Sequence, residues 1–275
     1  MTEAKRILFV SSEIYPFLPQ SEMAFVSRYL PQAIQESGGE IRSFMPRYGC
    51  INERRNQLHE VIRLSGMNII IREIDRPLII KVASISTARM QVYFIDNEDY
   101  FHRKFIYRDQ DDTFFPDNDE RGIFFARGVL ETVKKLRWKP DIVHCHGWLS
   151  HLLPLYLKKA YRDDPLFTNA KVVLSLYNDL TAETFNEQMR SKVLMPGVKA
   201  KDTEVLEKPD AVSLAKLGIQ YANGVVLAHP AVSPELAEFA RNHNIPVLPY
   251  VNPQDPESTY IADYNQFYDL ILETT

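Results

Sequence analysis

Short apolar runs and amphipathic stripes alternate along the first fifty residues of the chain. The run Arg6–Ser11 holds four consecutive apolar residues and is typical of a strand buried on both faces of a parallel sheet. Residues 22–36 repeat apolar side chains at spacings of three and four, which predicts a helix with one face toward a core. Gly38 and Gly39 mark its end, and Glu40–Met45 predicts a second strand. Together these elements predict a βαβ unit.

The middle of the chain has a different pattern. Four short β-rich runs cover residues 57–64, 67–71, 78–84 and 91–95, with turn residues such as those at 75–77 between them. They predict hairpins or a short meander inserted into the α/β pattern. Acidic and aromatic residues from 109 to 119 predict a surface loop.

The alternation of helices and strands returns after residue 119. Helix patterns cover residues 119–136, 148–161, 210–222 and 234–242, and strand patterns cover residues 141–145, 171–176, 224–228 and 246–250. A last apolar stripe predicts a C-terminal packing helix over residues 258–273; it consists of Tyr260, Tyr264, Phe267, Tyr268 and Ile271. We therefore predict one α/β domain over residues 1–275. Its sheet is doubly wound, mostly parallel and Rossmann-like, with ligands at the carboxyl ends of the strands.

Composition and charge exclude several function classes. The 275 residues carry 32 Lys and Arg against 36 Asp and Glu, so no basic field would attract nucleic acid. No apolar stretch approaches the ~20 residues of a membrane span, and residues 7–10 are too short for a signal peptide, so a cytoplasmic protein is expected. Cys50 and Cys145 cannot build a disulfide framework. With 10 glycines and no GxGxxG or P-loop string, no glycine-rich phosphate cradle and no cofactor are predicted.

Candidate chemistry concentrates at one predicted strand end. His144 and His146 are two residues apart and so share one face of the strand. No fourth ligand has a suitable spacing and no Cys-x-x-Cys pair occurs, so no metal site is predicted. At the sheet edge, His146 can hydrogen-bond a polar ligand, and a purely structural histidine is the alternative. Trp148 follows, and either stacks on a sugar or packs in the core.

Asp117 and Asn118 precede the long helix pattern and have two interpretations. As an N-cap, they would satisfy the backbone donors and the positive end of that helix. As a carboxylate and amide pair, they would bind sugar hydroxyls. The residues alone leave both interpretations open.

Several strings, in order, resemble the N-terminal domain of glycogen and starch synthases, which are retaining glucosyltransferases of the two-domain GT-B type. The strings are Ile7–Glu13 with Pro16-Phe17, Met45–Gly49, Asp117–Arg121, Trp138–Trp148 and Ser233-Pro234, and the resemblance covers about residues 5–240. It implies transfer of glucose from ADP-glucose to an α-1,4-glucan. Carried onto this sequence, it implies a catalytic His146 and substrate contacts from Glu13, Asp117, Asn118, Trp148 and Asn178.

The chain departs from the family where the resemblance places the chemistry. The family loop lysine-threonine-glycine-glycine-leucine-alanine-aspartate lets a cation and backbone N–H groups approach the nucleotide diphosphate. Residues 19–25 here read Pro-Gln-Ser-Glu-Met-Ala-Phe. Glu22 would repel a diphosphate by about 1 kcal/mol at 4 Å in water, or roughly 4 kcal/mol at an effective dielectric of 20. Gly147 replaces the aspartate and Leu149 the second histidine of a histidine-aspartate-tryptophan-histidine string, and Tyr177 replaces a later histidine.

No stretch after residue 250 is long enough for the second Rossmann domain, which in the family carries most sugar-nucleotide contacts. We therefore expect an eroded member that catalyses weakly or not at all by itself and has a glucan-binding or regulatory role. The alternatives are an active glucosyltransferase, and a half-enzyme completed by a separate chain that supplies the second domain. The expected partners are an α-glucan or a sugar nucleotide and such a protein chain, with no nucleic acid and no membrane.

Overall fold

The computed structural model describes residues 4–274, and within them ten strands alternate with helices. The strands are β1 (Arg6–Ser11), β2 (Glu40–Pro46), β3 (His59–Glu60), β4 (Met67–Ile71), β5 (Ile74–Ile85), β6 (Met90–Asp96), β7 (Ile142–His146), β8 (Lys171–Leu176), β9 (Gly224–Leu227) and β10 (Val247–Leu248). The helices are α1 (Glu22–Glu36), α2 (Glu53–Asn56), α3 (Glu98–Phe101), α4 (Asn118–Leu136), α5 (Leu153–Lys159), α6 (Met189–Val193), α7 (Ala211–Gln220), α8 (Pro234–Asn242) and α9 (Tyr260–Glu273).

The sheet is mostly parallel and reverses its winding at β1. Its order is β10-β9-β8-β7-β1-β2-β6-β5-β3, with β4 paired to β5. β1 pairs in parallel with β2 on one side and with β7 on the other. The antiparallel pairs all involve β5, which joins β3, β4 and β6. This confirms the predicted α/β fold with an inserted hairpin region, and it puts the switch point between β1 and β7.

Several elements coincide with the sequence prediction, and others differ. The strand predicted over residues 57–64 is limited to β3, because the chain turns again after Glu60. The helices α1 and α8 and the strand β8 have the predicted bounds. The hairpin turn lies at residues 72–73, not at 75–77, and β5 continues through Pro77 because its pairing with β6 begins only at Ile79. The helix predicted over residues 148–161 is split. A 3₁₀ turn covers Trp148–Ser150, and α5 begins at Leu153 so that Pro154 lies in its first turn.

Two groups of helices cover opposite faces of the sheet. Successive side chains of a strand point to opposite faces. On β8, Leu174 lies against α7, where a Cβ on Gly218 would be 3.0 Å from its Cδ2. The next residue, Ser175, hydrogen-bonds His144, which in turn meets Tyr268 of α9. The C-terminal helix predicted near residues 258–273 therefore exists and packs on the face opposite α7.

Helix α9 lies against β9 at Gly224. A Cβ there would be 2.5 Å from Ile271 and 2.9 Å from Phe267, so only glycine allows this approach. Tyr264, Phe267, Tyr268 and Ile271 are buried, whereas Leu270 is 49% exposed. No helix within residues 4–274 is long and apolar enough to cross a membrane.

Truncating the buried face of α9 tests how much this helix contributes to stability. We expect Phe267→Ala to lower the free energy of unfolding by about 3–5 kcal/mol, because it leaves a cavity against β9. Leu270→Ala on the exposed face of the same helix is the matched control and should cost under about 1 kcal/mol. Urea denaturation measures both values. Equal small losses would show that α9 does not stabilise the sheet.

Candidate functional site

Residues after four adjacent parallel strands meet at one edge of the sheet. In register, Ser11 of β1 lies beside His146 of β7, and His146 lies beside Ser175 of β8. The backbone pairing continues past the strand ends, since the Ser12 N–H donates to the His146 carbonyl at 2.9 Å. The residues that follow β1, β7, β8 and β9 are called the strand-end site, and they occupy positions 12–13, 147–148, 177–179 and 228–229. It contains Glu13, Trp148 and Asn178 from the predicted set, with His146 beneath them.

Glu13 is tied to the start of helix α1. Its Oε2 accepts a hydrogen bond from the Ser21 hydroxyl at 2.6 Å. Ser21 is the N-cap of α1, and its Oγ accepts from the Ala24 N–H at 3.0 Å. The Glu13 carboxylate is therefore held at the positive end of a fifteen-residue helix.

The two histidines of β7 form a buried pair whose rings are in contact and tilted by 38°. Their ring centroids are 3.9 Å apart, and both side chains are fully buried. Both ring nitrogens of His144 are occupied, by the Tyr268 hydroxyl at 2.6 Å and the Ser175 hydroxyl at 2.7 Å. His146 Nδ1 meets the Tyr177 hydroxyl at 2.9 Å, while its Nε2 has no partner among the described residues. His144 therefore has a structural role, and His146 keeps one nitrogen for a ligand.

Burial holds these imidazoles in the neutral form. It lowers the pKa of His144 well below its ordinary value and that of His146 to about 3. A third buried histidine, His151, lies beside α7, and burial lowers its pKa to about 3 as well. At neutral pH, His146 can therefore donate or accept a hydrogen bond but carries no charge.

Trp148 is part of an aromatic cluster, and its backbone holds a carboxylate. The indole is 3% exposed and its ring lies 5.0 Å from Tyr107, 5.4 Å from Phe185 and 6.3 Å from Phe114. Of the two interpretations of Trp148, packing in the core is the one the structure shows. Its N–H donates to Asp179 Oδ2 at 2.8 Å.

Asp179 is a site residue that the sequence analysis did not single out. Burial raises the pKa of its carboxyl group to about 6, although the hydrogen bond from Trp148 opposes that shift. The only local signal is its position, directly after Asn178 at the end of β8. Asn178 itself is exposed and so is accessible to a ligand.

Asp117 and Asn118 lie at the start of α4 and bind other parts of the protein. Asp117 makes no capping hydrogen bond; its carboxylate pairs with Arg103, with an Nη1–Oδ1 distance of 2.7 Å. The Asn118 amide is fully used, since it donates to the Tyr107 carbonyl at 2.9 Å and accepts from Arg121. Because Tyr107 also contacts Trp148, Asn118 supports the strand-end site from behind, and Asp117 faces Arg103.

An open groove adjoins the aromatic cluster. Its volume is about 690 Å³, and its walls include Phe114, Phe185, Glu183 and Asn186. Two of these side chains, Phe114 and Phe185, also contact Trp148. Within residues 4–274, no group of three His, Cys, Asp or Glu side chains is placed to hold a metal ion.

The glycine after His146 is required by the local geometry. Gly147 has φ 83° and ψ 156°, a region that is essentially restricted to glycine. A Cβ there would be 2.5 Å from Ser12 Oγ and 2.8 Å from Met23 Sδ. The aspartate that the family resemblance places at this position therefore has no room here.

Restoring that aspartate tests this steric account. We expect Gly147→Asp to lower the free energy of unfolding by about 2–5 kcal/mol, the sum of backbone strain and overpacking against Met23. Gly66→Asp is the matched control, because Gly66 also has φ 83° but a Cβ there has nothing within 4 Å. Gly66→Asp should lower the free energy of unfolding only by the smaller contribution that comes from backbone strain. Equal losses in urea denaturation would contradict crowding at Gly147.

The buried histidines predict how stability depends on pH. Their folded pKa values lie below the unfolded value of about 6.5, so the unfolded state takes up more protons and stability falls as the pH drops from 6.5 toward 3. Each group contributes about 1.4 kcal/mol per pH unit in that window. The wild-type protein should lose free energy of unfolding between pH 7.5 and pH 5. We expect that loss to be about 2 kcal/mol smaller in His151→Leu, which lacks one buried histidine. His59 is exposed, and His59→Gln is the control, in which the loss of unfolding free energy should equal that of wild type. The same wild-type loss in His151→Leu would refute the prediction.

Comparison with known proteins shows which family this chain is similar to. A family model described as the starch synthase catalytic domain matches residues 6–245. The glycogen synthase of Chlorobaculum parvum is 36% identical over 260 residues, which cover 94% of this chain and 49% of that protein. That of Chlorobium phaeovibrioides is 34% identical over 238 residues, 86% of this chain and 48% of that protein. That of Chlorobium luteolum is 43% identical over 178 residues, 63% of this chain and 36% of that protein.

A solved structure has the same fold. The catalytic domain of starch synthase IV from Arabidopsis thaliana, bound to ADP and acarbose, matches with a TM-score of 0.72 at 17% identity. The match covers 90% of this chain and 52% of that chain. This chain thus spans about half or less of the length of the relatives it matches.

Proposed function

The chain belongs to the starch synthase catalytic-domain family, and from that premise we propose that this domain binds an α-glucan without transferring glucose by itself, in a recognition or regulatory role. The observation that carries the proposal is the start of α1, where Glu22 lies in its first turn beside the strand-end site. A glucosyltransferase must stabilise a departing diphosphate with positive groups, and that electrostatic contribution is usually the largest in catalysis. Here the corresponding loop supplies a carboxylate.

The same loop also has one cation and two backbone donors fewer to offer a phosphate. Pro19 has no backbone N–H, and it stands where the family has its lysine. The Ala24 N–H, one of the free donors at the helix start, is already bound by the Ser21 hydroxyl. Loss of even one stabilising contact of this kind commonly lowers turnover about 10²-fold or more.

The groove beside the aromatic cluster suits a sugar polymer. Phe114 is partly exposed and supplies an apolar face on which a pyranose ring packs, while Glu183 and Asn186 supply hydrogen-bonding groups for the hydroxyls. Asn178 is accessible nearby, and Glu13 has a carboxylate for a further hydroxyl. We therefore place the glucan along the groove, with one end at the strand-end site.

A second candidate function is glucosyl transfer with a second domain, in the same polypeptide or in a separate chain. It is favoured by His146, whose Nε2 is buried and has no partner among the described residues while its Nδ1 is fixed by Tyr177. A neutral imidazole held in this way could bind a sugar hydroxyl during transfer. The cytoplasmic location and the single domain over residues 1–275 remain predictions under either function.

Titration calorimetry and a radiolabel assay test the proposal together. We expect maltoheptaose to bind this 275-residue chain, and Asn178→Ala to weaken the binding about two- to tenfold, the value of one lost hydrogen bond. The exposed Asn242→Ala on α8 is the control and should bind like wild type. Labelled ADP-glucose should leave no label in glycogen.

Two results would contradict the proposal. The first is the absence of maltoheptaose binding at millimolar concentration. The second is label in glycogen that disappears in His146→Ala, which would establish the chain as a glucosyltransferase without any further domain.

A further inference from the structure

Helix α1 begins at the strand-end site with two carboxylates at its positive end. Glu13 is bound there through the Ser21 hydroxyl, at 2.6 Å. Glu22 is the first residue of the helix. The free N–H groups and the dipole at the start of a helix favour a bound anion. In this protein the carboxylates of Glu13 and Glu22 provide that negative charge.

The Glu22 carboxylate is held in place by residues that follow β9 and β10. Its Oε2 lies 3.9 Å from His229 Nε2. Burial, together with a hydrogen bond to Glu22, raises the pKa of Tyr250 to about 12. The other oxygen, Oε1, is buried and has no partner within residues 4–274. The carboxylate thus lies between α1 and two loops, with one oxygen buried and the side chain as a whole 22% exposed.

A buried hydroxyl beside this helix start also lacks a partner. The Ser12 side chain is fully buried, and its Oγ has no hydrogen bond to the described residues. It lies against the first turn of α1, since a Cβ on Gly147 would be 2.5 Å from Ser12 Oγ and 2.8 Å from Met23 Sδ. An unsatisfied buried hydroxyl at this point indicates a polar ligand, because such groups are rarely left without a partner.

Within residues 4–274, no ion pair joins Glu13 or Glu22 to a lysine or an arginine, and the nearest basic group to Glu22 is His229. Arg103 is paired with Asp117 and Arg108 with Glu183, each at short range. Asp179 adds a third acidic group, which lies close enough to Glu13 for their charges to interact. The strand-end site and the adjoining start of α1 therefore combine three carboxyl groups, of Glu13, Glu22 and Asp179, with the unpaired Ser12 hydroxyl.

We propose that Glu22 is a specificity-determining residue that occupies the anion-binding end of α1 and makes the site select an uncharged sugar over an anionic nucleotide. A fixed carboxylate repels a second anion most strongly where water is partly excluded. Sugar hydroxyls, in contrast, can donate hydrogen bonds to Glu13 and Glu22, and because they are uncharged the carboxylates do not repel them. The choice of sugar rests on the proposed function, whereas the exclusion of anions does not.

Calorimetry with inorganic pyrophosphate and with ADP tests the role of Glu22. We expect weak or undetectable binding to wild type, and at least tenfold tighter binding of both probes to Glu22→Gln, which keeps the shape and removes the charge. Glu36→Gln, at the other end of the same helix, is the charge-matched control and should change binding less than twofold. Because screening weakens charge repulsion, added salt should reduce the difference between wild type and Glu22→Gln.

A second variant and a folding control keep the result decisive. Glu22→Ser removes the same charge with a smaller side chain, and thermal melting of each variant shows that the fold is retained. Unchanged pyrophosphate binding in both folded variants, or micromolar binding to wild type, would overturn the inference. If maltoheptaose fails to bind while Glu22→Gln gains pyrophosphate, the proposed function falls and the role of Glu22 stands.

Discussion

The contact on which the strand-end site depends is the close approach of β1, β7 and α1 at Gly147. With no side chain at that position, Ser12 and Met23 can both lie close to the Gly147 backbone at the switch point. The Ser12 N–H then binds the His146 carbonyl, which joins the ends of β1 and β7. This contact sets where α1 begins, and so it also sets where the carboxylates of Glu13 and Glu22 lie. The chemistry of the site follows from a steric constraint.

A second constraint links the site to the end of the chain. The Tyr268 hydroxyl of helix α9 hydrogen-bonds His144, and the His144 ring contacts that of His146 with 3.9 Å between the centroids. On its other side, His146 is fixed by Tyr177. The His146 imidazole is thus held by tyrosines from two different elements, directly by Tyr177 and through His144 by Tyr268, and its burial keeps it neutral.

The repeating parts of the fold and the family could be predicted from the sequence because their signals are local. The apolar spacing of residues 22–36 and the apolar run of β8 each need only their own neighbours to form, and the structure has them at the predicted bounds. The turn at residues 72–73 was missed because Asp75-Arg76-Pro77 is a typical turn sequence, and only the late start of the β6 pairing allows Pro77 within a strand. Pro154 gave a local sign that the helix after β7 begins late.

Order along parallel strands is enough to predict that Glu13, His146, Trp148 and Asn178 lie near strand ends. The contacts that each of them makes depend on how the elements pack. Trp148 became part of the core through contacts with Phe114 and Phe185, and the Asn118 amide was used up by Tyr107 and Arg121. Asp179, His229 and Tyr250 joined the site through contacts with distant segments, and His144 met a tyrosine 124 residues away. Such pairings depend on how the elements pack, and no periodicity or short motif encodes a contact between segments so far apart along the chain.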